Sequence, residues 1–128
     1  MSKLGRYSAD RKKIETVTAA KTVEVHDCGT IFIVDAAVAL TLPTAATAGA
    51  GWWCKVIKGF GAAGGAVTIT VTDTLQGIGV DGGGVGVELA GSCTMHTDAT
   101  EGTCIELISD GTQWYAQGIA STANGFTA

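Results

Sequence analysis

The stretch Ala66-Val67-Thr68-Ile69-Thr70-Val71-Thr72 alternates apolar and hydroxyl-bearing side chains without interruption. Because successive side chains of a β-strand point to opposite faces, the apolar residues would face a core and the threonines would face away from it. β-Branched residues also favour strands. This stretch therefore predicts a half-buried strand, with a pattern that the surrounding sequence repeats.

Similar segments lie on both sides of this strand, separated by turns rich in glycine. With it they make roughly ten predicted strands of typical length, at 22–26, 30–34, 38–42, 52–58, 66–72, 75–80, 85–90, 92–97, 103–109 and 113–119. The sequence holds no long amphipathic helix that could cross over between parallel strands. We therefore predict an all-β fold, an antiparallel β-sandwich or jelly-roll with an extended N-terminal arm.

Charge is divided unevenly along the chain. Residues 1–21 hold six basic and two acidic residues, a net charge of +4, whereas residues 22–128 hold two basic and ten acidic ones, a net charge of −8. The larger apolar residues of 1–21 are too scattered to bury a core, so this segment is predicted to become ordered on a partner or to serve as a solubilising terminus. The predicted division is a basic arm at 1–21, a β body at 22–120 and a C-terminal tail at 121–128.

Several classes of function find no support in the sequence. No stretch approaches the roughly 20 apolar residues of a membrane-spanning helix, and no apolar region follows the basic start as in a signal peptide. The chain is therefore predicted to stay in a cytosol or to be carried out within a larger assembly, without contact to a membrane. The acidic body would repel phosphates, which argues against direct binding of nucleic acid.

Residue patterns that carry catalysis or bind cofactors are also missing. Gly82-Gly83-Gly84 is not followed by the Lys-Ser/Thr of a phosphate-binding loop, and no G-x-S-x-G occurs. His26 and His96 each lie near a cysteine, but without the paired motifs of a zinc site. The sequence predicts no enzyme, no metal and no cofactor. The cysteines are predicted to be reduced and buried, with a disulfide as the alternative, and they are Cys28, Cys54, Cys93 and Cys104.

The glycine-rich stretch at 78–87 admits two interpretations. Glycine weakens strands unless another backbone must approach closely. The stretch is therefore predicted to be either an exposed flexible loop or a flat surface packed at a subunit contact.

Two segments in order resemble the structural modules of tailed bacteriophages. In the first, a strand ending in Leu42-Pro43 leads through small residues to Trp52-Trp53. In the second, Val67-Thr68-Ile69 leads to Asp73-Thr74-Leu75-Gln76-Gly77, then to Gly91-Ser92, and finally to Leu107-Ile108-Ser109-Asp110-Gly111-Thr112-Gln113-Trp114-Tyr115. The resemblance covers residues 22–120. It is shared by tail-fibre, adhesin-like and head-decoration proteins, and it identifies no catalytic residue.

Among these classes the chain most resembles capsid decoration (cement) proteins. The resemblance implies a homotrimer, made in the host bacterial cytoplasm, that binds the major capsid protein on the outer capsid surface of the virion. The alternative is a tail-fibre, head-fibre or baseplate module for host receptor or glycan binding. The predicted capsid-binding arm consists of Lys3, Arg6, Tyr7, Arg11, Lys12 and Lys13. The residues predicted to lie in the core or at a subunit interface are Trp52, Trp53, Phe60 and Trp114.

Overall fold

A computed structural model describes residues 11–80, 82, 86–121 and 125–127, with the backbone alone for residues 87–90. In this part of the chain the predicted all-β class is confirmed, since strands dominate and the one α-helix, α1 (Ala45–Ala48), has a single turn. No helix in it has the length and apolar character needed to cross a membrane. The strands are β1 (Lys13–Val17), β2 (Lys21–Thr22), β3 (Thr30–Val34), β4 (Ala39–Thr41), β5 (Ala50–Lys58), β6 (Val67–Thr70), β7 (Leu75–Val80), β8 (Gly86–Ala90), β9 (Ser92–Met95), β10 (Cys104–Asp110), β11 (Trp114–Ile119) and β12 (Phe126–Thr127).

Hydrogen bonds join the strands in the order β1-β3-β5-β10-β11-β7-β8-β9-β6-β4-β2, with β12 also paired to β9. The link between β8 and β9 is the single pair Ala90–Ser92, on either side of Gly91. Gly91 has a φ of 80°, a conformation that favours glycine and lets the chain turn sharply there. This corner divides the strands into a large sheet, from β1 to β8, and a small sheet formed by β9, β6, β4, β2 and β12.

The first half of the chain coils between the two sheets. β1, β3 and β5 run parallel in the large sheet, while β2, β4 and β6 run parallel in the small sheet. A parallel pair needs a long crossover, and here the crossover is a strand of the opposite sheet rather than a helix. The expectation of an antiparallel fold is therefore corrected: pairing is mixed, because a coiling chain makes parallel strands without helices.

One buried cluster draws side chains from both sheets. Burial alternates along β5, where Trp52, Cys54 and Val56 point inward, and along β6, where Val67 and Ile69 do so. The alternation predicted for the 66–72 stretch is thus confirmed over β6. Both sheets consequently have one face in the core and one face turned away from it.

The predicted arm at 1–21 differs from the structure over its second half. Residues 1–10, which include Lys3, Arg6 and Tyr7, lie outside the described residues. Lys13–Val17, however, forms β1, paired with β3 along its whole length, and Val17 is buried. The pairing satisfies backbone groups at the edge of β3, which explains why so polar a segment is ordered on its own subunit. The body therefore begins at β1 rather than at residue 22.

The predicted C-terminal tail also contributes to the fold. Phe126–Thr127 pairs with β9, and the Phe126 ring is buried. This ring lies over Gly79 and Gly118 of the large sheet, where an added Cβ would come within 2.7 Å and 2.8 Å of it. The glycines of β7 and β11 thus make room for an aromatic side chain within the same subunit.

Of the glycine-rich stretch at 78–87, residues 78–80 belong to β7 and residues 86–87 to β8, which pair antiparallel. Residues 81 and 83–85 lie outside the described part of the chain. The close approach of Phe126 accounts for Gly79 in this stretch.

Candidate functional site

The side of the large sheet that faces away from the core carries an unusual set of side chains. Inward residues such as Phe32, Val56 and Ile105 are opposite one another in the register, so their neighbours along each strand point outward. We call this set the outer face, and it consists of Ile14, Thr16, Ile31, Ile33, Trp53, Lys55, Ile57, Gln76, Ile78, Val80, Cys104, Glu106, Ile108, Tyr115, Gln117 and Ile119.

Strand register arranges the outer face in rows that run across six strands. The first row crosses β1, β3, β5, β10, β11 and β7 in turn, and apart from its first residue it is apolar: Thr16, Ile33, Ile57, Cys104, Ile119 and Val80. The middle row is Ile14, Ile31, Lys55, Glu106, Gln117 and Ile78. The third row is Trp53, Ile108, Tyr115 and Gln76.

Much of this apolar surface is open to solvent. Ile119 is 61% exposed and Ile14 is 60% exposed, at nearly opposite ends of the face. Of the eight large apolar side chains that are exposed in the described part of the chain, six belong to the outer face, namely Ile14, Ile78, Val80, Ile108, Tyr115 and Ile119. Scattered exposed apolar residues are ordinary, whereas a contiguous group of them marks a contact surface.

The residues that define the outer face include one cation and one anion; in addition, Lys12 lies over the Trp53 ring, and Glu88 of β8 is opposite Ile78 in the register. Lys55 and Glu106 lie directly opposite each other on the neighbouring strands β5 and β10. Cross-strand neighbours on one face have Cβ atoms about 5 Å apart, so these opposite charges largely cancel at a distance. The face is therefore close to neutral, although residues 22–128 as a whole carry a net charge of −8.

The small sheet presents a different surface on its outward side. Thr68 and Thr70 of β6 point away from the core beside Thr94 and Ser92 of β9, and the Thr68 and Thr94 hydroxyls lie 3.4 Å apart. This surface bears hydroxyl groups that water can solvate. Apolar exposure is thus a property of the large sheet's outer face and not of both sheets.

An open groove of about 370 Å³ adjoins the first row where β3 and β5 end. Ile33 and Ile57 form its floor, and Phe60, which is 85% exposed, stands beside them. The turn carrying Phe60 is held because Gly61 N–H donates to Asp35 Oδ1 at 2.6 Å. Asp35 and Glu101 add carboxylates to the lining.

A buried lysine lies next to this groove. Lys58 is fully buried, and its Nζ donates to the carbonyls of His96 at 3.0 Å and Thr97 at 3.3 Å. Burial lowers the pKa of Lys58 from its ordinary value of 10.5, while the carboxylates of Glu101 and Asp98 act in the opposite direction. Lys58 therefore anchors the 96–102 loop to β5.

Three of the four basic side chains in the described part of the predicted 1–21 arm contact their own subunit. Lys12 lies 5.5 Å from the centre of the Trp53 ring, a cation–π contact. Lys13 and Lys21 lie 3.9 Å and 3.8 Å from the carboxylate of the buried Asp27, which also accepts a hydrogen bond from the Glu24 N–H. Arg11 is exposed at the first described position. The predicted capsid-binding arm is thus partly committed to intramolecular contacts.

The aromatic residues predicted for the core or an interface separate into two groups. Trp52 and Trp114 are buried, whereas Trp53 lies on the outer face and Phe60 borders the groove. The isoleucines of the outer face were not among the predicted site residues. Their signal was present in β3, whose sequence Thr30-Ile31-Phe32-Ile33-Val34 is apolar at both odd and even positions.

Groups that could support catalysis or metal binding are dispersed. No set of three or more His, Cys, Asp or Glu side chains in the described residues is placed to hold a metal ion. His26 contacts Glu24, and His96 contacts Asp98. The prediction of buried cysteines is wrong for Cys28, which is exposed. Cys54 and Cys93 are buried, and this burial raises the pKa of both thiols, that of Cys93 to about 12. Such thiols are weak nucleophiles.

Comparison of the chain with protein-family models, with curated proteins and with solved structures finds no match in any of the three.

Proposed function

We propose that this chain is a head decoration (cement) protein of a tailed bacteriophage that binds and stabilises the major capsid protein lattice. In this proposal it is made in the cytoplasm of the host bacterium, assembles as a homotrimer and sits on the outer capsid surface. The two sheets around one core would be the β-sandwich expected of such a body. The observation that carries the proposal is the outer face.

An exposed apolar sheet face favours assembly over catalysis. Soluble monomers rarely expose contiguous apolar patches larger than a few hundred Å², and larger ones are typically contact surfaces. The outer face offers an extended apolar surface, whereas a catalytic site needs convergent polar groups in a cleft. The phage-like order of motifs between residues 22 and 120 then suggests a virion as the assembly in which the contact is made.

The charge distribution supports a role for the N-terminal residues in binding the capsid. Lys3, Arg6 and Arg11 precede β1 in the sequence, whereas Lys12 and Lys13 contact their own subunit. Such cations would be attracted to an acidic capsid surface over about 10 Å at moderate salt. Backbone next to β1 could also add a strand to an edge of a capsid protein.

Capsids assembled without this chain provide the test, with occupancy measured by cosedimentation of the purified protein. We compare the full chain with a variant that lacks residues 2–10, since a longer deletion would remove β1 from the sheet. The full chain should saturate the particles, and the shortened chain should bind at least about tenfold more weakly while keeping its melting temperature. Failure of the full chain to bind, or equal occupancy by both, would contradict the proposal.

A charge variant separates electrostatics from backbone contacts. Replacing Lys3, Arg6 and Arg11 with Gln should weaken binding most at low salt and flatten its salt dependence between about 50 and about 300 mM. A variant that exchanges the same three residues for the other basic residue, Lys3→Arg, Arg6→Lys and Arg11→Lys, keeps the charge and serves as the matched control. A salt dependence equal to that of the full chain would show that these side chains do not guide binding.

A tail-fibre, head-fibre or baseplate module for host receptor or glycan binding is the second candidate. One observation favours it: the exposed Phe60 ring stands beside a groove whose apolar floor is bordered by two carboxylates. Ligand sites are typically concave and apolar with a few polar groups. Immunogold labelling confined to tails, together with loss of host-cell binding in Phe60→Ala, would favour this function over the first.

A further inference from the structure

We propose that the outer face is covered by a second copy of this chain, so that it is the surface through which the protein assembles with itself. The inference rests on the proposed function for the expectation that the protein is a homotrimer. What it adds is the surface through which the copies meet, and that surface would be the same in a dimer. Four properties of the described residues support it.

The first property is the sequence of β3. Strands that are apolar on both faces are normally covered on both faces. In β3 the inward Phe32 is buried in the core, whereas the outward Ile31 and Ile33 are covered only in part. The same holds in β5, where Ile57 points outward beside Ile33. β3 and β5 thus have apolar side chains on both faces, but a single subunit buries only one of these faces.

The second property is size. Six strands at about 4.8 Å spacing and five residues at about 3.3 Å give a face of about 29 by 17 Å, about 500 Å² in projection. Two such faces in contact would bury about 1,000 Å² in total, which reaches the lower bound for a specific interface. The outer face is thus large enough for stable self-association.

The third property is charge complementarity with itself. A second copy brings the acidic body with it, so most approaches between two copies are repulsive. The outer face avoids this repulsion, because its Lys55 and Glu106 are adjacent and opposite in sign. In a symmetric contact, Lys55 of each copy can approach Glu106 of another. A strongly basic or acidic partner would find no matching charge there.

The fourth property is the contrast between the sheets. The outward side of the small sheet presents Thr68, Thr70 and Thr94, which suit solvent. Six of the eight large apolar side chains that are exposed in the described residues lie on the side for which a partner is proposed. This contrast also supplies a matched control, since a charge can be placed on either sheet at a position that points away from the core.

Molar mass in solution tests the surface. Ile119→Lys and Ile78→Lys each place a charge on the outer face, and Thr70→Lys places one on the small sheet. The unsubstituted chain and Thr70→Lys should have the mass of two or three copies by light scattering at about 50 μM, whereas both outer-face variants should be monomers. Near-ultraviolet circular dichroism of the buried tryptophans shows whether each variant is folded. A monomeric unsubstituted chain, or folded outer-face variants that remain assembled, would overturn the inference.

Mixing two charge variants tests the identity of the partner. Lys55→Glu makes the face doubly negative and Glu106→Lys makes it doubly positive, so each alone should associate at least about tenfold more weakly than the unsubstituted chain. An equal mixture should regain assembly, because the two faces are complementary to each other. No gain on mixing would show that copies of this chain do not meet through these residues.

The two proposals can fail separately. If the chain assembles through the outer face but leaves capsids unoccupied, the decoration function fails and the self-contact stands. If the chain binds capsids as a monomer and Ile119→Lys abolishes that binding, the outer face contacts the capsid protein and the self-contact is excluded.

Discussion

The indole rings of Trp52 and Trp114 meet edge to face, with 5.4 Å between their centroids and 89° between their planes. Each indole N–H also donates to a backbone carbonyl, that of Trp52 to Val25 at 2.8 Å and that of Trp114 to Pro43 at 3.1 Å. The pair therefore connects β5 and β11 across β10 and fixes the segments that precede β3 and α1. Edge-to-face pairs add about 0.5–1.5 kcal/mol to the effect of burial alone.

Removing one member of this pair should reduce stability substantially. We expect Trp114→Ala to lower the free energy of unfolding by about 3–5 kcal/mol, since it deletes a fully buried ring and leaves a cavity. Urea unfolding followed by circular dichroism measures the change. Trp53→Ala, on the outer face, is the control and should cost clearly less. Equal losses of unfolding free energy for the two variants would mean that the buried pair contributes no more to stability than the tryptophan of the outer face.

Phe126 should be as important for stability as residues in the middle of the chain. Its ring fills the space over Gly79 and Gly118, so Phe126→Ala should cost about 3–5 kcal/mol. Gly79→Ala should also destabilise, by about 1–3 kcal/mol, because its Cβ would press on the ring from 2.7 Å away. In the double variant the losses should be less than additive, since removal of the ring relieves the clash. Thr127→Ala, which changes an exposed side chain, serves as the control, and strict additivity in the double variant would contradict the assigned contact.

Local pattern was sufficient to predict the strand class but not the pairing. The alternation around Ile69 identifies β6 because period-two burial depends on nearby residues alone. The parallel pairing of β3 with β1 and β5 could not be predicted in this way, since strand order depends on contacts between residues far apart in the chain. The absence of long helices led to the prediction of antiparallel pairing. That prediction was wrong because a strand of the opposite sheet can also connect two parallel strands.

The ends of the chain and the candidate surface were missed for related reasons. β12 spans only Phe126 and Thr127, which is too short to show a period, and β1 has charged side chains at Lys13 and Glu15. Such charges are typical of a flexible arm, and only the structure shows that Lys13 lies beside Asp27 and Glu15 beside Lys21. The outer face emerges only when register aligns isoleucines from separate strands. Each of these features depends on tertiary contacts.

The buried Lys58 should give the protein a distinctive dependence on alkaline pH. Burial lowers the pKa of Lys58 in the folded chain below its ordinary value of 10.5, so between the folded pKa and 10.5 the unfolded chain binds more protons than the folded one. Stability contributed by this group therefore rises with pH in that window, and the cost of burying the charge is present in full below it.

Urea unfolding at several pH values checks this dependence. The difference in unfolding free energy between the unsubstituted chain and Lys58→Met should shift in favour of the unsubstituted chain as pH rises through the lowered pKa towards 10.5. Lys55→Met controls for loss of a lysine from the same strand. A difference that stays constant, or that shifts towards Lys58→Met, would contradict the lowered pKa.

Cysteine alkylation should report both burial in the subunit and coverage of the outer face. In the native protein at about pH 8, iodoacetamide should modify the exposed Cys28 rapidly, whereas Cys54 and Cys93 should react only after unfolding, because burial raises their pKa.

Cys104 lies in the first row of the outer face and is half-buried in the subunit. A second copy on that face would slow its modification, and Ile78→Lys should restore the faster rate by separating the copies. Peptide mass spectrometry gives the rate at each cysteine, with Cys28 as the internal reference. An identical Cys104 rate in the two proteins would show that the face is equally open in both.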